Sequence, residues 1–204
     1  IHEVEPDEYL ETEFDYPVYV QLKGADLYSH KETGKYNRND FHTNPQNYHC
    51  NFKDYISNTD ILINGIYWEK NIPRLFEMDA LKRVDFRIKT IADITDDFNG
   101  SVPCNLGDST IDDPVYGVDK NSFEKTAPYL PGSVDIMAVG NLPNELARDA
   151  SRYFGEQLIK HVLDDIRLGG GNPSGNSALL HHATMINAGA INEPYLYMKD
   201  YAEQ

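Results

Sequence analysis

Short, unbroken apolar runs punctuate this chain, and between them apolar residues return at helical intervals. Ile61-Leu62-Ile63 is such a run, and so are the centres of Lys89–Ile94 and Asp135–Gly140. Runs of this length bounded by polar or glycine residues predict buried parallel strands, covered on both faces. Ile1–Val4 and Pro17–Leu22 (PVYVQL) add two more strands, and Val115–Val118 is a candidate within an irregular stretch, Ser101–Asp119. Pro6 sits in the first turn of a helix after Glu5. Tyr48, Phe52, Tyr55 and Ile56 share one side of a predicted helix over Pro45–Ser57, and Ile72–Lys82 predicts another, broken near Met78-Asp79. Pro143–Leu168 carries the longest helical pattern. Leu146, Ala150, Phe154, Leu158 and Val162 fill one side, and Glu145, Arg148, Asp149, Arg152 and Glu156 decorate the other. Gly169-Gly170-Gly171-Asn172-Pro173 stops it, Asn176 or Ser177 caps a further helix through Asn187, and Glu193-Pro194 opens a last short one. Lys23–Pro45 is polar and reads as a long excursion. Alternation of strand and helix predicts an α/β fold, a doubly wound, mostly parallel sheet in three layers.

Composition narrows the partners. The formal charge of −15 disfavours nucleic acid and anionic membrane surfaces. No run is long enough for a membrane span, and the acidic start lacks the basic and apolar regions of a signal peptide. Cys50 and Cys104 form no framework and no C-x-x-C, which points to a reducing, cytoplasmic setting. At 204 residues the chain can enclose a substantial core.

In an open α/β sheet, ligands gather beyond the carboxyl ends of the strands. Three such exits carry chemistry here. Asn64-Gly65-Ile66-Tyr67 leaves the first run, with Gly65 allowing close approach to the backbone. Asp93, Asp96 and Asp97 follow the second. Three nearby carboxylates evoke a divalent cation, but the alternating ligands of a calcium loop are absent. Val139-Gly140-Asn141-Leu142 ends the third; Asn141 either bonds a ligand or caps the helix beginning at Pro143. There is no G-x-G-x-x-G. Neither the adjacent His181-His182 pair nor any other histidine shows metal-ligand spacing, and no serine or cysteine stands in a nucleophile elbow.

LINGIYWEKNIPRL (Leu62–Leu75), ADITDDFNGSVP (Ala92–Pro103), TIDDPVYGVD (Thr110–Asp119) and VGNLPNELARDAS (Val139–Ser151) resemble, in order and spacing, the lysine-ketoglutarate reductase and saccharopine dehydrogenase family. That family lies within the alanine dehydrogenase and transhydrogenase superfamily. The resemblance implies a Rossmann-like domain that binds NAD or NADP and an oxidoreductase acting on the CH–NH bond of amino-acid substrates, in lysine metabolism. It implies that Asn64, Gly65, Ile66, Tyr67, Asp93, Val139, Asn141 and Leu142 line the cofactor and that Asp97 is the catalytic carboxylate. Glu3 and Glu5 are candidates for the ribose hydroxyls, and Trp68 reads as packing. Two departures stand out: Asn99 replaces a glycine of the D-x-G-G context, and Gly140 stands where saccharopine-forming relatives commonly carry aspartate. They keep open an alanine dehydrogenase-like enzyme, or a non-catalytic binding or regulatory module on the same fold.

On this resemblance the chain begins at the second strand of the dinucleotide fold. The first strand, its glycine-rich turn and the catalytic lysine and histidine are expected upstream. Residues 1–168 are then a partial cofactor domain. Residues 169–204 are a helical segment that packs back on an absent substrate domain. The expected partner is a small amino-acid or 2-oxo-acid substrate, and a homo-oligomer is one way to cover the gap left by the missing strand. The fragment is expected to be inactive alone.

Overall fold

A computed structural model describes residues 1–168 and 177–199. The chain divides into two compact units, 1–142 and 143–204. The first opens with β1 (His2–Glu3), α1 (Pro6–Glu11) and β2 (Val18–Tyr19). Next come α2 (Gly24–Leu27), β3 (Tyr28–His30), α3 (Arg38–Thr43) and β4 (Tyr48–Cys50), then β5 (Ile61–Asn64), β6 (Thr90–Asp93), β7 (Val115–Asp119), β8 (Lys125–Thr126) and β9 (Ser133–Met137). The second unit holds α4 (Ala147–His161), α5 (Leu163–Leu168), α6 (Ala178–Ala183) and the hairpin β10 (Ile186–Asn187) and β11 (Ala190–Ile191).

The predicted α/β class holds. A five-stranded open sheet runs in the order β5-β6-β9-β7-β8. β5, β6 and β9 are parallel neighbours, and β7 and β8 extend the sheet antiparallel beside β9. The three parallel strands are the three apolar runs read from the sequence. Register sets their faces. Leu62 lies opposite Ile91, and Ile91 opposite Ile136, so these point the same way, into a core where Ile88, Ile91, Val118, Val134 and Ile136 are fully buried. The opposite face of β5 is open: Ile61 is 64% and Ile63 is 71% exposed, where the unbroken apolar run had predicted cover on both sides.

Other expectations need correction. β1 and β2 do not join the central sheet; among the described residues they pair only with each other, in parallel, through His2–Val18 and Glu3–Tyr19. Between that pair and β5 runs a slot of about 710 Å³, walled by Glu3 and Val18–Leu22 on one side and Ile61–Ile66 on the other. Strands can pair only where their edges meet, and the slot keeps these apart. Lys23–Pro45 is not a bare excursion: its polar residues frame α2, β3 and α3, and Leu27, Tyr28 and Phe41 enter the core. Asn37 caps α3 by accepting from the Asp40 N–H. The helix predicted over Pro45–Ser57 is instead strand β4, paired antiparallel with β3, between two 3-10 turns. Only Met78–Lys82 of the next predicted helix is helical, as a 3-10 turn.

In the second unit, α4 and α5 occupy most of Pro143–Leu168 after a 3-10 turn at Leu142–Leu146. The apolar side of α4 is solvent-facing: Phe154 is exposed, and no residue of that helix is buried. Ser177 caps α6 through the Leu180 N–H, as its type predicted. That helix ends at Ala183, because Gly189, at φ 82°, turns the following residues into the β10–β11 hairpin. Glu193–Met198 forms a 3-10 helix. Gly169–Gly171 and Asn176, read as a helix stop and a cap, lie outside the described residues.

Candidate functional site

Three adjacent parallel strands must end on one edge of their sheet. Asn64–Tyr67 follows β5, Asp93–Asp97 follows β6, and Val139–Leu142 follows β9. The exits therefore converge, as the sequence pattern predicted. Register does more: Asn64 lies directly opposite Asp93, so both side chains leave the same face. Asn64 Nδ2 donates to Asp93 Oδ1 at 2.7 Å and to Ser101 Oγ at 2.9 Å. Asn105 Nδ2 donates to Asp93 Oδ2 at 2.9 Å and to Asp96 Oδ1 at 3.4 Å. Asn105 Oδ1 accepts from the Gly107 N–H at 2.9 Å and from the Tyr116 hydroxyl at 3.4 Å. Asn64, Asp93, Ser101 and Asn105 are all buried. A carboxylate taken from water is costly unless donors surround it, and the two asparagines supply that here. One atom of this network, Asn64 Oδ1, is buried without a hydrogen-bond partner among the described residues.

Ser101 to Asn105, including Cys104, forms a buried segment beneath the exits. It holds the preceding turn, since Asn105 O accepts from the Asn99 N–H at 2.8 Å. In that turn Asp97 O accepts from the Gly100 N–H at 2.9 Å, and Arg74 Nη2 donates to Asn99 O at 2.9 Å. A Cβ on Gly100 would lie 2.5 Å from Asp97 Cβ, so only glycine lets the turn close. Asn99, the departure noted in sequence, takes φ 48°, a left-handed conformation that asparagine tolerates. The D-F-N-G turn thus keeps the shape that a second glycine would allow.

Asp97 is half-buried on this turn, and burial followed by the nearby Asp93 charge raises its carboxyl above the ordinary range. Asp96 is raised too, chiefly by burial and then by Asp108, Asp93 and Asp97, against the lowering effect of its bond with Asn105. A Cβ placed on Gly140 would lie 3.2 Å from Asp108 Oδ2 and 3.5 Å from Asp96 Oδ2. The edge is therefore acidic, with a carboxylate on either side of Gly140.

Gly65 is exposed with open space where a Cβ would stand, and Tyr67 is exposed beyond it. Ile66 is half-buried, and its carbonyl accepts from the Thr95 hydroxyl at 2.7 Å, tying the first exit to the second. Val139 is buried, Leu142 half-buried, and Asn141 exposed at φ 57°. Trp68 packs against the core and donates its indole N–H to Ile72 O at 3.0 Å, the packing role expected. Glu3 lines the slot. Ser101, Asn105, Asp108 and Tyr116 were not singled out by sequence. Their side-chain partners lie 9 to 37 residues away, or at Gly140, and only the apolar SVPC run after Asn99-Gly100 hints at a buried segment. Among the described residues no group of three or more His, Cys, Asp or Glu is arranged to hold a metal ion.

No protein-family model matches the chain. It is 31% identical over 153 residues to an alpha-aminoadipic semialdehyde synthase of Arabidopsis thaliana, covering 72% of this chain and 14% of that protein. It is 27% identical over 197 residues to the mitochondrial alpha-aminoadipic semialdehyde synthase of Rattus norvegicus, covering 85% of this chain and 21% of that one. Over 115 residues it is 26% identical to a saccharopine dehydrogenase [NAD(+), L-lysine-forming] of Emericella nidulans, covering 55% of this chain and 29% of the relative. The chain spans less than a third of the length of each.

Proposed function

We propose that this chain, a homologue of alpha-aminoadipic semialdehyde synthases and saccharopine dehydrogenases, is the nicotinamide-binding portion of an NAD(P)-dependent oxidoreductase of lysine metabolism. The reaction is hydride transfer at the CH–NH bond of an amino-acid substrate, of the saccharopine dehydrogenase (lysine-forming) or lysine-ketoglutarate reductase type. The observation that supports it is the convergence of three parallel-strand exits on one edge, two of them joined by the Asn64–Asp93 bond.

The residues present fit the nicotinamide half of a dinucleotide. Gly65 leaves open space above its backbone, and Asn64 Oδ1 is an acceptor still without a donor. In this reading Asn64–Tyr67, Asp93, Val139, Asn141 and Leu142 hold the nicotinamide and its ribose. The bound cofactor, NAD or NADP, supplies or receives the hydride. The chain's own residues do the rest. Asp97, whose carboxyl burial and the nearby Asp93 charge raise above the ordinary range, orients the substrate amine and exchanges a proton with its nitrogen. Asp96 and Asp108 place negative charge where a cationic amine or iminium gathers. They also answer the departure at Gly140, since carboxylates from neighbouring positions flank the place of the side chain that glycine lacks. The two thiols, both free, suit a reducing compartment such as the cytoplasm.

The test uses the longer enzyme with lysine, 2-oxoglutarate and either reduced nucleotide. Asp97→Asn keeps size but removes basicity, so kcat should fall by about 10²-fold or more while the KM for the nucleotide stays within about twofold. An unchanged kcat across pH would remove Asp97 from the chemistry. No turnover by the unmutated enzyme with lysine or alanine substrates would favour the non-catalytic module.

A further inference from the structure

A second cavity, a groove of about 750 Å³, lies against the turn that carries Asp97. Phe98 and Asn99 of that turn line it, together with Lys31, just after β3, and residues of the loop from Trp68 to Arg74, beyond β5. None of the residues assigned to the nicotinamide or to proton transfer lines it. Its charge runs against that of the molecule. The sequence carries 33 acidic and 18 basic residues, yet among the described residues this groove is lined by three cations, Lys31, Lys70 and Arg74, and one acid, Glu77. A cleft lined by one sign of charge focuses its field on the counter-ion, here an anion. Arg74 is held in place. Its Nη2 donates to Asn99 O at 2.9 Å, its guanidinium lies 6.0 Å from the centre of the Trp68 ring, and its side chain is 26% exposed. Nη1 also reaches Glu77 Oε2 at 3.4 Å, but that carboxylate is 70% exposed, and a long, solvated pair contributes little. These contacts leave the guanidinium with donors to spare. Lys31 Nζ donates to Gln46 O at 2.7 Å, which keeps its charge at the groove. Lys70 is exposed, and among the described residues no hydrogen bond or ion pair involves it.

We propose that this groove is a second ligand site, apart from the strand exits, that binds a small organic dianion through its carboxylate or phosphoryl oxygens. Arg74 meets those oxygens with its planar fork, a shape that suits carboxylate and phosphate alike. Lys31 and Lys70 balance the remaining charge. Trp68 and Phe98 cover the carbon skeleton, and a cavity of this volume holds more than a bare ion. Glu77 is the group the anion displaces, since it alone competes for the guanidinium and stands mostly in water. The site also touches the chemistry at one point. The guanidinium that meets the anion holds Asn99 O, in the turn on which Asp97 is built, so a bound dianion fixes that turn. The charge and geometry of the groove carry the inference, not the proposed reaction, so each can fail without the other.

Trp68 is the single tryptophan of the sequence, so its fluorescence reports on this groove. The 204-residue chain is titrated with sodium glutarate and, separately, with inorganic phosphate, at a mildly alkaline pH where both are dianions. Sodium chloride at matched ionic strength is the reference. At least one dianion should give a saturating change with half-saturation at about 1 mM or below, and the tighter of the two tells carboxylate from phosphoryl recognition. The amide resonances of Asn99 and Gly100 should shift with the same half-saturation. Arg74→Lys keeps the charge but loses the fork, and should weaken binding at least about fivefold. Lys70→Gln has no contact in the fold to lose, so it keeps the structure intact and should weaken binding at least about threefold. Lys53→Gln makes the same change of charge at an exposed lysine outside the groove and should leave the affinity unchanged. No saturation beyond the chloride response with either dianion overturns the proposal, and so does equal weakening by Lys70→Gln and Lys53→Gln.

Discussion

The carboxylates at the strand exits differ in what folding does to them. Asp93 is buried yet met by the amides of Asn64 and Asn105, while Asp96 is held at φ 55° among Asp93, Asp97 and Asp108. Because the Asp96 carboxyl titrates above its ordinary value in the folded chain, the native state takes up that proton before the unfolded state does. Its ionisation therefore costs stability once pH exceeds the folded value. The cost vanishes as pH falls below the ordinary carboxylate range. Asp96→Asn removes the charge, keeps an acceptor for Asn105, and tolerates the left-handed backbone as aspartate does. It should raise the melting temperature by about 2 °C at pH 7, and the gain should shrink to nothing near pH 3, as read by thermal scans across pH. This residue-scale logic was half legible. Asn64 and the aspartates announce themselves by ending apolar runs. Asn105 and Tyr116 do not, because their partners meet them only through the fold.

Strands were legible where parallel pairing and burial demand continuous aliphatic residues, as in β5, β6 and β9. Helices misread from sequence fail for a shared reason. In Pro45–Ser57 the spacing of Tyr48, Phe52, Tyr55 and Ile56 imitates a helix face, but all four reach the core from a strand, a 3-10 turn and the turn that follows it. Large aromatics fill space from several backbone conformations, so their spacing alone does not select one. Polar residues misled in the opposite sense in Lys23–Pro45, where Asn37 and Asp40 serve as cap and partners while Leu27, Tyr28 and Phe41 do the packing. Position within the sheet also predicts a contrast between two isoleucines. Ile91 lies in β6, flanked on both sides and fully buried, whereas Ile61 lies on the open edge. Ile91→Ala should cost about 3–4 kcal/mol and Ile61→Ala less than about 0.5 kcal/mol, measured by urea denaturation.

At the scale of the whole molecule, charge governs encounters. With a formal charge of −15 and an acidic site edge, the chain repels the phosphates of a dinucleotide at long range. Screening falls within about 10 Å at 0.1 M salt. Titrated calorimetrically, NADH and NADPH should bind the 204-residue chain weakly, with dissociation constants above about 0.1 mM, and more tightly as sodium chloride rises from 20 to 200 mM. Weaker binding at higher salt would mean that basic groups dominate the encounter. Among the described residues no helix is long and apolar enough to cross a membrane. The buried segment from Ser101 to Asn105 also gives the molecule a clock. Cys104 within it is fully enclosed, and burial pushes its thiol up to about 12, whereas half-buried Cys50 on β4 is pushed up to about 11. Alkylating reagents need a thiolate they can reach. Cys50 should therefore be modified in the native protein at a rate that tracks pH. Cys104 should wait for the strand exits to come apart, so a mass-resolved iodoacetamide time course would count each opening of the floor on which Asp97 is built.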